Sequence, residues 1–376
     1  MNKKITTWEA ACIITGYGIG AGVLSMPYLA EKNGFLVATL ILIVAVAASY
    51  VLHMMIADLA LKTGGGQIIS CLSRFLFRGK LKRFLEILFF VLMGLILITN
   101  LAAYITGAEE VITGLLPVPG FVATLIFYVV AASVVLFGLK AVGVSEKFAV
   151  TVIFILIGVL AVASCLAKHN PIPLAGGNLN QMLAYYGLAM FAVSAFFSVP
   201  QAVEGLDGDE KEIRKAVFFG LFNNFILIMV ISFCAIWSST EVTEVSMVGW
   251  SAGIGLWAQI IGSLFTVLAM LTTYWSLSLA LGGIIDDMLK TGGKLSWLIA
   301  TLPSFILALL GLTGFMDLMR TAGGLIAIVV AVMVVPAFRN ARKETGGSIL
   351  RNCGTATEII IILAYVLMAV GSVVPY

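Results

Sequence analysis

Four glycines fall within seven residues in the stretch GYGIGAGVLSMP, which covers residues 16–27 and lies between apolar runs. Glycine has the largest entropic cost of the ordinary residues in a helix, so we expect a helix to break here. Inside a bilayer the freed backbone groups need partners from protein or from a cavity. Carbonyls that end the first half-helix can ligate a cation, and N–H groups that begin the second can bind a carboxylate. The stretch is therefore a candidate ligand site.

A second interpretation of the same glycines stays open. Small residues at short intervals form packing faces, which let membrane helices approach one another closely. The sequence alone does not separate a packing face from a ligand site.

The composition defines the class of protein that positions this stretch. Of the 376 residues, 61% are hydrophobic and 11% are charged, whereas about a quarter are charged in an average soluble domain. The chain is therefore predicted to be an integral membrane protein, and apolar runs of about 20 residues favour helices over an outer-membrane barrel. The five cysteines show neither metal spacing nor a disulfide framework. An enzyme is not expected, because no nucleophile, base or metal constellation lies at membrane depth.

Eleven membrane-spanning helices are predicted. They cover about residues 8–30, 35–61, 84–106, 121–139, 147–166, 182–204, 216–237, 254–285, 295–312, 317–337 and 355–374. The connection over residues 62–83 carries six basic residues and an apolar pattern at helical spacing. This pattern predicts an amphipathic helix at the membrane surface.

The basic residues predict how the helices are oriented. When the connections are assigned alternately to the two sides of the membrane, one side carries 19 Lys and Arg residues and the other carries 3, of 22 in the chain. Cytoplasmic connections are enriched in Lys and Arg. We therefore expect a multi-pass protein of the inner or plasma membrane, with a cytoplasmic N-terminus and an extracytoplasmic C-terminus.

A short repeat divides the chain. Ser25, Pro27 and Glu31 of helix 1 match Ser198, Pro200 and Glu204 of helix 6 at a constant offset of 173 residues. Helix 6 opens a second run of five helices, which enters the membrane from the opposite side because five is odd. The prediction is a first repeat over residues 1–167, an inverted second repeat over 182–337, and a cytoplasmic loop with helix 11 over 338–376. Such repeats place a substrate site near the midplane.

Three stretches carry a family resemblance, over residues 18–35, 198–220 and 269–280. They resemble the amino acid/polyamine/organocation superfamily, and most closely its amino acid/auxin permease group and the bacterial tryptophan/tyrosine permeases. The resemblance implies an all-α membrane protein with the leucine-transporter fold, a five-plus-five inverted repeat with broken helices 1 and 6, plus an eleventh helix. It also implies a secondary active amino acid transporter, a symporter that works by alternating access on a sodium or proton gradient.

The resemblance further implies roles for individual residues. Backbone N–H groups of helix 1 would bind the substrate carboxylate, carbonyls of helix 6 would bind its ammonium group, and side chains of helices 3 and 6 would close the pocket. The implied substrate-binding residues are Gly18, Gly20, Ala21, Gly22, Asn100, Tyr104, Phe191, Ala192, Val193, Ser194, Ala195 and Phe196.

A coupling cation is implied in the same way. In sodium-coupled members of the fold, helices 1 and 8 supply hard oxygen ligands, which suit an alkali cation. The matching residues are Gly16, Ile19, Ala269, Thr272 and Thr273. The alternative is that the two Thr hydroxyls bond only to their own helix. Proton coupling through His53 or Asp58 also stays open.

The main rival function is an amino acid sensor or exchanger on the same fold, which would bind an amino acid without accumulating it. A channel is disfavoured because no segment resembles a selectivity filter. The expected partners are an amino acid, Na⁺ or H⁺ and the lipid bilayer, with no nucleic acid. No cofactor is expected apart from sodium as the coupling ion.

Overall fold

The computed structural model describes residues 4–243, 245–311, 332–350 and 353–375, and all regular structure within these ranges is helical. The helices are α1 (Thr7–Gly18), α2 (Ala21–Asn33), α3 (Phe35–Lys62), α4 (Ile68–Phe75), α5 (Lys82–Leu115), α6 (Gly120–Leu136), α7 (Leu139–Ser164), α8 (Leu179–Ala192), α9 (Ser198–Gly205), α10 (Glu210–Ser238), α11 (Ser246–Ile254), α12 (Leu256–Leu289), α13 (Gly293–Leu309), α14 (332–345) and α15 (Thr355–Val373). A short 3₁₀ turn, Gly79–Leu81, precedes α5.

Six of the described helices are long and apolar enough to cross a membrane, and the bent pair of α1 and α2 makes a seventh candidate. The helices α6 and α13 are also apolar but have 17 residues each. Most of the predicted tenth span, residues 317–337, lies outside the described residues. The total of eleven spans therefore stays a prediction.

In each of two helix pairs, a short non-helical segment separates the first helix from the second. α1 ends at Gly18 and the chain resumes as α2 at Ala21, with a bend of 61° between them. α8 ends at Ala192 and α9 begins at Ser198, which leaves five residues outside any helix. These two segments form the centre of the site described below.

The helix α12 occupies the middle of the described structure. In the most apolar 18-residue stretch of α12, 78% of the residues are buried, whereas 28% are buried in the corresponding stretches of α3, α5 and α15. It packs against α1, α5, α7 and α13. The outer helices α5, α6 and α15 instead expose many Leu, Ile and Val side chains, as expected for surfaces in contact with lipid tails.

Two predicted helix ends are wrong. Helix 3 does not end near residue 106, because α5 continues to Leu115 through the acidic pair Glu109 and Glu110. Thr124 of α6 donates to the Glu109 carboxylate over 2.9 Å, so a neighbouring helix accommodates the charge. Helix 7 begins before residue 216, because the Asp209 side chain accepts hydrogen bonds from the first amides of α10, which starts at Glu210.

Two further predictions need correction. The amphipathic helix of the basic connection exists as α4, but its apolar face is buried in protein: Leu72 and Phe75 are 0% exposed. It therefore packs on the helix bundle rather than lying on a lipid surface. The third predicted part, residues 338–376, starts in a helix and not in a loop, since α14 runs to residue 345 and buries Phe338 and Ala341.

Candidate functional site

The clustered glycines lie where a side chain would collide with a neighbour. In real proteins a Cβ atom essentially never lies within 3.0 Å of a heavy atom of a neighbouring residue. An added Cβ would lie 2.0 Å from Glu146 Oε2 at Gly16, 2.0 Å from Asn224 Nδ2 at Gly18, 2.7 Å from Tyr104 Oη at Gly20 and 2.9 Å from Ala192 Cα at Gly22. The cluster is therefore a close-packed surface and also flanks the interruption between α1 and α2. The structure supports the packing interpretation of the glycines, and the ligand site stays a prediction.

The helix ends that flank the two interruptions touch each other. Gly22 of α2 packs on the backbone of Ala192, the last residue of α8, and on the ring of Phe191. Tyr104 of α5 and Thr273 of α12 both lie against Gly20, where an added Cβ would be 2.7 Å and 3.0 Å from their oxygens. Helices α1, α2, α5, α8 and α12 thus meet at one buried point.

The non-helical segment between α8 and α9 is held by polar side chains of α3. Ser49 Oγ donates to the Val193 carbonyl over 2.9 Å, and the Ala195 N–H donates to His53 Nε2 over 2.9 Å. His53 Nδ1 lies 2.7 Å from the Ser49 carbonyl, which places the proton on Nδ1. Both ring nitrogens of His53 have partners. In this conformation His53 satisfies the backbone of the interruption.

The helices α1 and α12 bring most of the predicted sodium ligands together. The Gly16 carbonyl accepts hydrogen bonds from Thr272 Oγ1 at 3.2 Å and Thr273 Oγ1 at 3.0 Å. Both hydroxyls also lie within 3.0 Å of the Ala269 carbonyl in their own helix. The hydroxyls therefore contact their own helix and α1 at once. Ile19 lies one turn further along, and its N–H donates to Thr15.

Sequence reasoning missed Glu146 at this point. Its side chain is 0% exposed, although it lies in the second turn of α7. Ser276 Oγ of α12 donates to Oε1 over 2.7 Å, whereas Oε2 has no partner among the described residues and lies against Gly16. The predicted start of helix 5 near residue 147 placed Glu146 in a connection. The helix in fact begins eight residues earlier, at Leu139.

Other predicted site residues divide into two groups. Tyr104, Phe191 and Ala192 lie at the contact between the interruptions, and the buried Oδ1 of Asn100, one turn from Tyr104, has no partner among the described residues. Phe196, in contrast, packs on His53 with ring centroids 5.2 Å apart, away from α1. Ser194 Oγ bonds to the Met190 carbonyl in α8. The side chain of Ala21 is outside what the structure describes.

Ion pairs close the bundle at the N-terminal end of α1. Glu9 is 2% exposed and pairs with Lys140 at 2.8 Å and Lys147 at 3.3 Å, both on α7. Lys4 pairs with Glu204 of α9 at 2.5 Å. These contacts tie α1 to α7 and α9, so relative motion of the helices at this end must break them.

Asp58, the other residue considered for proton coupling, lies away from the contact between the helix interruptions. It lies near the end of α3, where it pairs with Lys62 at 2.6 Å and accepts the Ile349 N–H at 2.8 Å. Arg214 donates to the Ile349 carbonyl. Asp58 therefore anchors the segment after α14.

The long apolar helices of the described residues are those of a multi-pass membrane protein. A solved structure has a similar fold. It is the nucleobase-cation-symport-1 family transporter Mhp1, in a closed conformation with bromovinylhydantoin bound, with a TM-score of 0.63, 12% identity, and coverage of 98% of this chain and 91% of that one.

The sequence comparisons define the family. The model of the tryptophan/tyrosine permease family matches residues 3–373, so the chain belongs to this family. A curated relative, the tyrosine-specific transport system 1 of Haemophilus influenzae, is 26% identical over 403 aligned positions, which cover 96% of this chain and 94% of the relative. The chain is accordingly an amino acid permease.

Proposed function

We propose that the chain is a secondary active symporter for aromatic amino acids that works by alternating access. The observation that carries this proposal is the buried contact between the two helix interruptions, which Gly22 and Ala192 make. In secondary transporters, discontinuous helices of this kind bind substrate and coupling ion near the midplane. The family and the tyrosine-specific relative support an aromatic substrate.

The proposed architecture is the leucine-transporter fold with an eleventh helix. The pair α1 and α2 is broken helix 1 of a first repeat over residues 1–167, and the pair α8 and α9 is broken helix 6 of an inverted repeat over 182–337. The match of Ser25, Pro27 and Glu31 with Ser198, Pro200 and Glu204 supports this pairing. The excess of basic residues on one side supports a cytoplasmic N-terminus and an extracytoplasmic C-terminus in the cell membrane.

The substrate head group binds between the interruptions in this proposal. The first amides of α2, at Ala21 and Gly22, have no preceding turn of their own helix to donate to, so they are available to a carboxylate. Among the carbonyls that end α8, Ala189 accepts the Val193 N–H, Phe191 accepts the Ser194 N–H and Met190 accepts Ser194 Oγ. The Val193 carbonyl already accepts a bond from Ser49, so Ala192 is the stronger candidate for the ammonium group. Phe191, Tyr104 and Asn100 would pack the aromatic side chain.

The coupling cation, sodium or a proton, is proposed to act where α1, α7 and α12 meet. The oxygens of Gly16, Ala269, Thr272 and Thr273 form a set of hard donors, with Ile19 one turn away. These donors fit sodium in chemical type. Glu146 adds a carboxylate at Gly16, and a buried carboxylate needs a positive partner. When sodium is bound, it would supply positive charge that draws α1 and α12 together.

A cavity on the far side of this cluster supports a release route for the cation. Its volume is about 300 Å³, and its lining includes Gln201 and Glu204 of α9 and Asp286 of α12. Gln201 Nε2 donates to the Ser276 carbonyl over 2.8 Å, and Ser276 contacts Glu146. Gln201 and Ser276 thus separate the cavity from the Glu146 carboxyl group. Opening of the Lys4–Glu204 ion pair would widen it.

The expected result for the purified protein in liposomes is accumulation of radiolabelled L-tyrosine and L-tryptophan, but not L-lysine, above the external concentration. Sodium and proton gradients are imposed separately. If sodium drives uptake, the Thr272→Ala/Thr273→Ala variant should lose the sodium dependence, because both hydroxyl ligands are gone. Uptake that is driven by a proton gradient alone would contradict the assignment of these residues as sodium ligands.

An exchanger or sensor is the alternative on the same fold. Exchange of internal for external amino acid without accumulation under either gradient would favour an exchanger. Binding without any movement across the bilayer would favour a sensor.

A further inference from the structure

One buried amide at the contact between the helix interruptions is unsatisfied. Asn224 of α10 is 0% exposed, and neither its Oδ1 nor its Nδ2 has a hydrogen-bond partner among the described residues. Buried amide groups in native proteins nearly always have partners, so each exception needs an explanation. An apolar residue would fill the same space without that cost.

The neighbouring amide, that of Asn223, differs from Asn224 because it has a hydrogen-bond partner. Asn223 precedes it in the same helix and donates to Thr15 Oγ1 of α1 over 3.1 Å. That bond ties α10 to α1 and explains why Asn223 is polar. The Asn224 amide faces a different direction and lacks such a partner.

The surroundings of Asn224 indicate what it binds. Its Nδ2 lies 2.0 Å from the position of an added Cβ on Gly18, and the Ala192 carbonyl lies 3.2 Å from the same position. Gly18 is the last residue of α1, and Ala192 is the last residue of α8. The amide therefore lies at the point where α1 and α8 both end.

We propose that Asn224 binds the head group of the amino acid substrate, and this inference rests on the proposed function. Its Oδ1 accepts a hydrogen bond from the ammonium group, which also bonds to the Ala192 carbonyl. Its Nδ2 donates to the carboxylate, together with the first amides of α2. An amide can satisfy both charges because it carries one acceptor and two donors. A bound head group would leave neither of its polar atoms without a partner.

The test is binding of L-tyrosine to the purified full-length protein, measured by isothermal calorimetry. Asn224→Ala should weaken binding about 10- to 100-fold, as expected for the loss of hydrogen bonds to charged groups. Asn223→Ala is the matched control and should keep the affinity within about threefold, because its bond is to Thr15. Thermal unfolding and gel filtration of each variant show that it is folded.

A second variant gives a readout that does not depend on the alanine substitution. Asn224→Asp has the same shape but repels a carboxylate and attracts an ammonium group. It should shift the preference about tenfold from L-tyrosine towards tyramine, which lacks the carboxylate. If Asn224→Ala does not fold, this ratio decides the question.

The outcomes separate this inference from the proposed function. If the wild-type protein binds L-tyrosine and Asn224→Ala binds it equally well, or if Asn224→Asp leaves the tyramine preference unchanged, the role of Asn224 is overturned and a buried water is the better partner for the amide. If the wild-type protein binds neither L-tyrosine nor L-tryptophan, the proposed function fails as well.

Discussion

Glu146→Gln is expected to reduce gradient-driven accumulation of L-tyrosine by roughly tenfold or more. The carboxyl group is fully buried, one of its oxygens has no partner among the described residues, and that oxygen lies against Gly16 of α1. A neutral glutamine keeps the shape and the contact with Ser276 but does not supply the charge that a cation needs. Counterflow, in which external L-tyrosine exchanges for internal L-tyrosine, should persist because the substrate site is unchanged.

The matched control for this prediction is Glu86→Gln. Glu86 is also largely buried, but its carboxylate already has partners in Ser73, Lys82 and Arg83. We expect uptake within about twofold of wild type, as for the loss of a peripheral ion pair. Full accumulation by Glu146→Gln would show that the carboxyl group has no part in coupling.

Gly22→Ala is expected to lower L-tyrosine uptake at least about tenfold, although alanine favours a helix more than glycine does. The new methyl group would lie 2.9 Å from Ala192 Cα and 3.1 Å from the Phe191 ring. The first contact is with backbone, which cannot rotate away as a side chain can, so α2 and α8 must separate. The groups that bind the two ends of the substrate would then be too far apart.

Gly158→Ala provides the comparison. Gly158 lies within α7, and apart from the backbone of its own helix no atom of the described residues lies within 4 Å of the position that its Cβ would take. This variant should transport like wild type and be equally or slightly more stable, because only helix propensity changes. Wild-type uptake by Gly22→Ala would mean that the two interruptions need not touch for transport.

The features of the site that depend on residue type could be predicted from the sequence. Four glycines in seven residues are visible without a structure, and α1 ends within them at Gly18. The adjacent hydroxyls of Thr272 and Thr273 were also visible, and their contact with Gly16 places them beside α1.

The parts that depend on burial were not accessible. Glu146 lies near a helix end where a carboxylate is normally solvated, and the packing of neighbouring helices, α1 and α12 among them, buries it. Asn223 and Asn224 are identical in type and adjacent in sequence, yet one has a partner in Thr15 and the other has none among the described residues. The direction in which each amide points depends on how α10 is rotated against α1. The end of α5 was mispredicted for a similar reason. Thr124 of α6 donates a hydrogen bond to the Glu109 carboxylate, and the sequence does not show that these two residues are neighbours.

The most direct test of amino acid symport is to reverse it. Liposomes that contain the protein receive an inward gradient of L-tyrosine, with no initial gradient of sodium or protons, and the internal concentration of each cation is followed with a fluorescent indicator. Symport predicts that L-tyrosine entry drives one of the two cations inward against its own rising gradient, and that Glu146→Gln abolishes this movement while counterflow continues. Entry of L-tyrosine without movement of either cation would contradict symport.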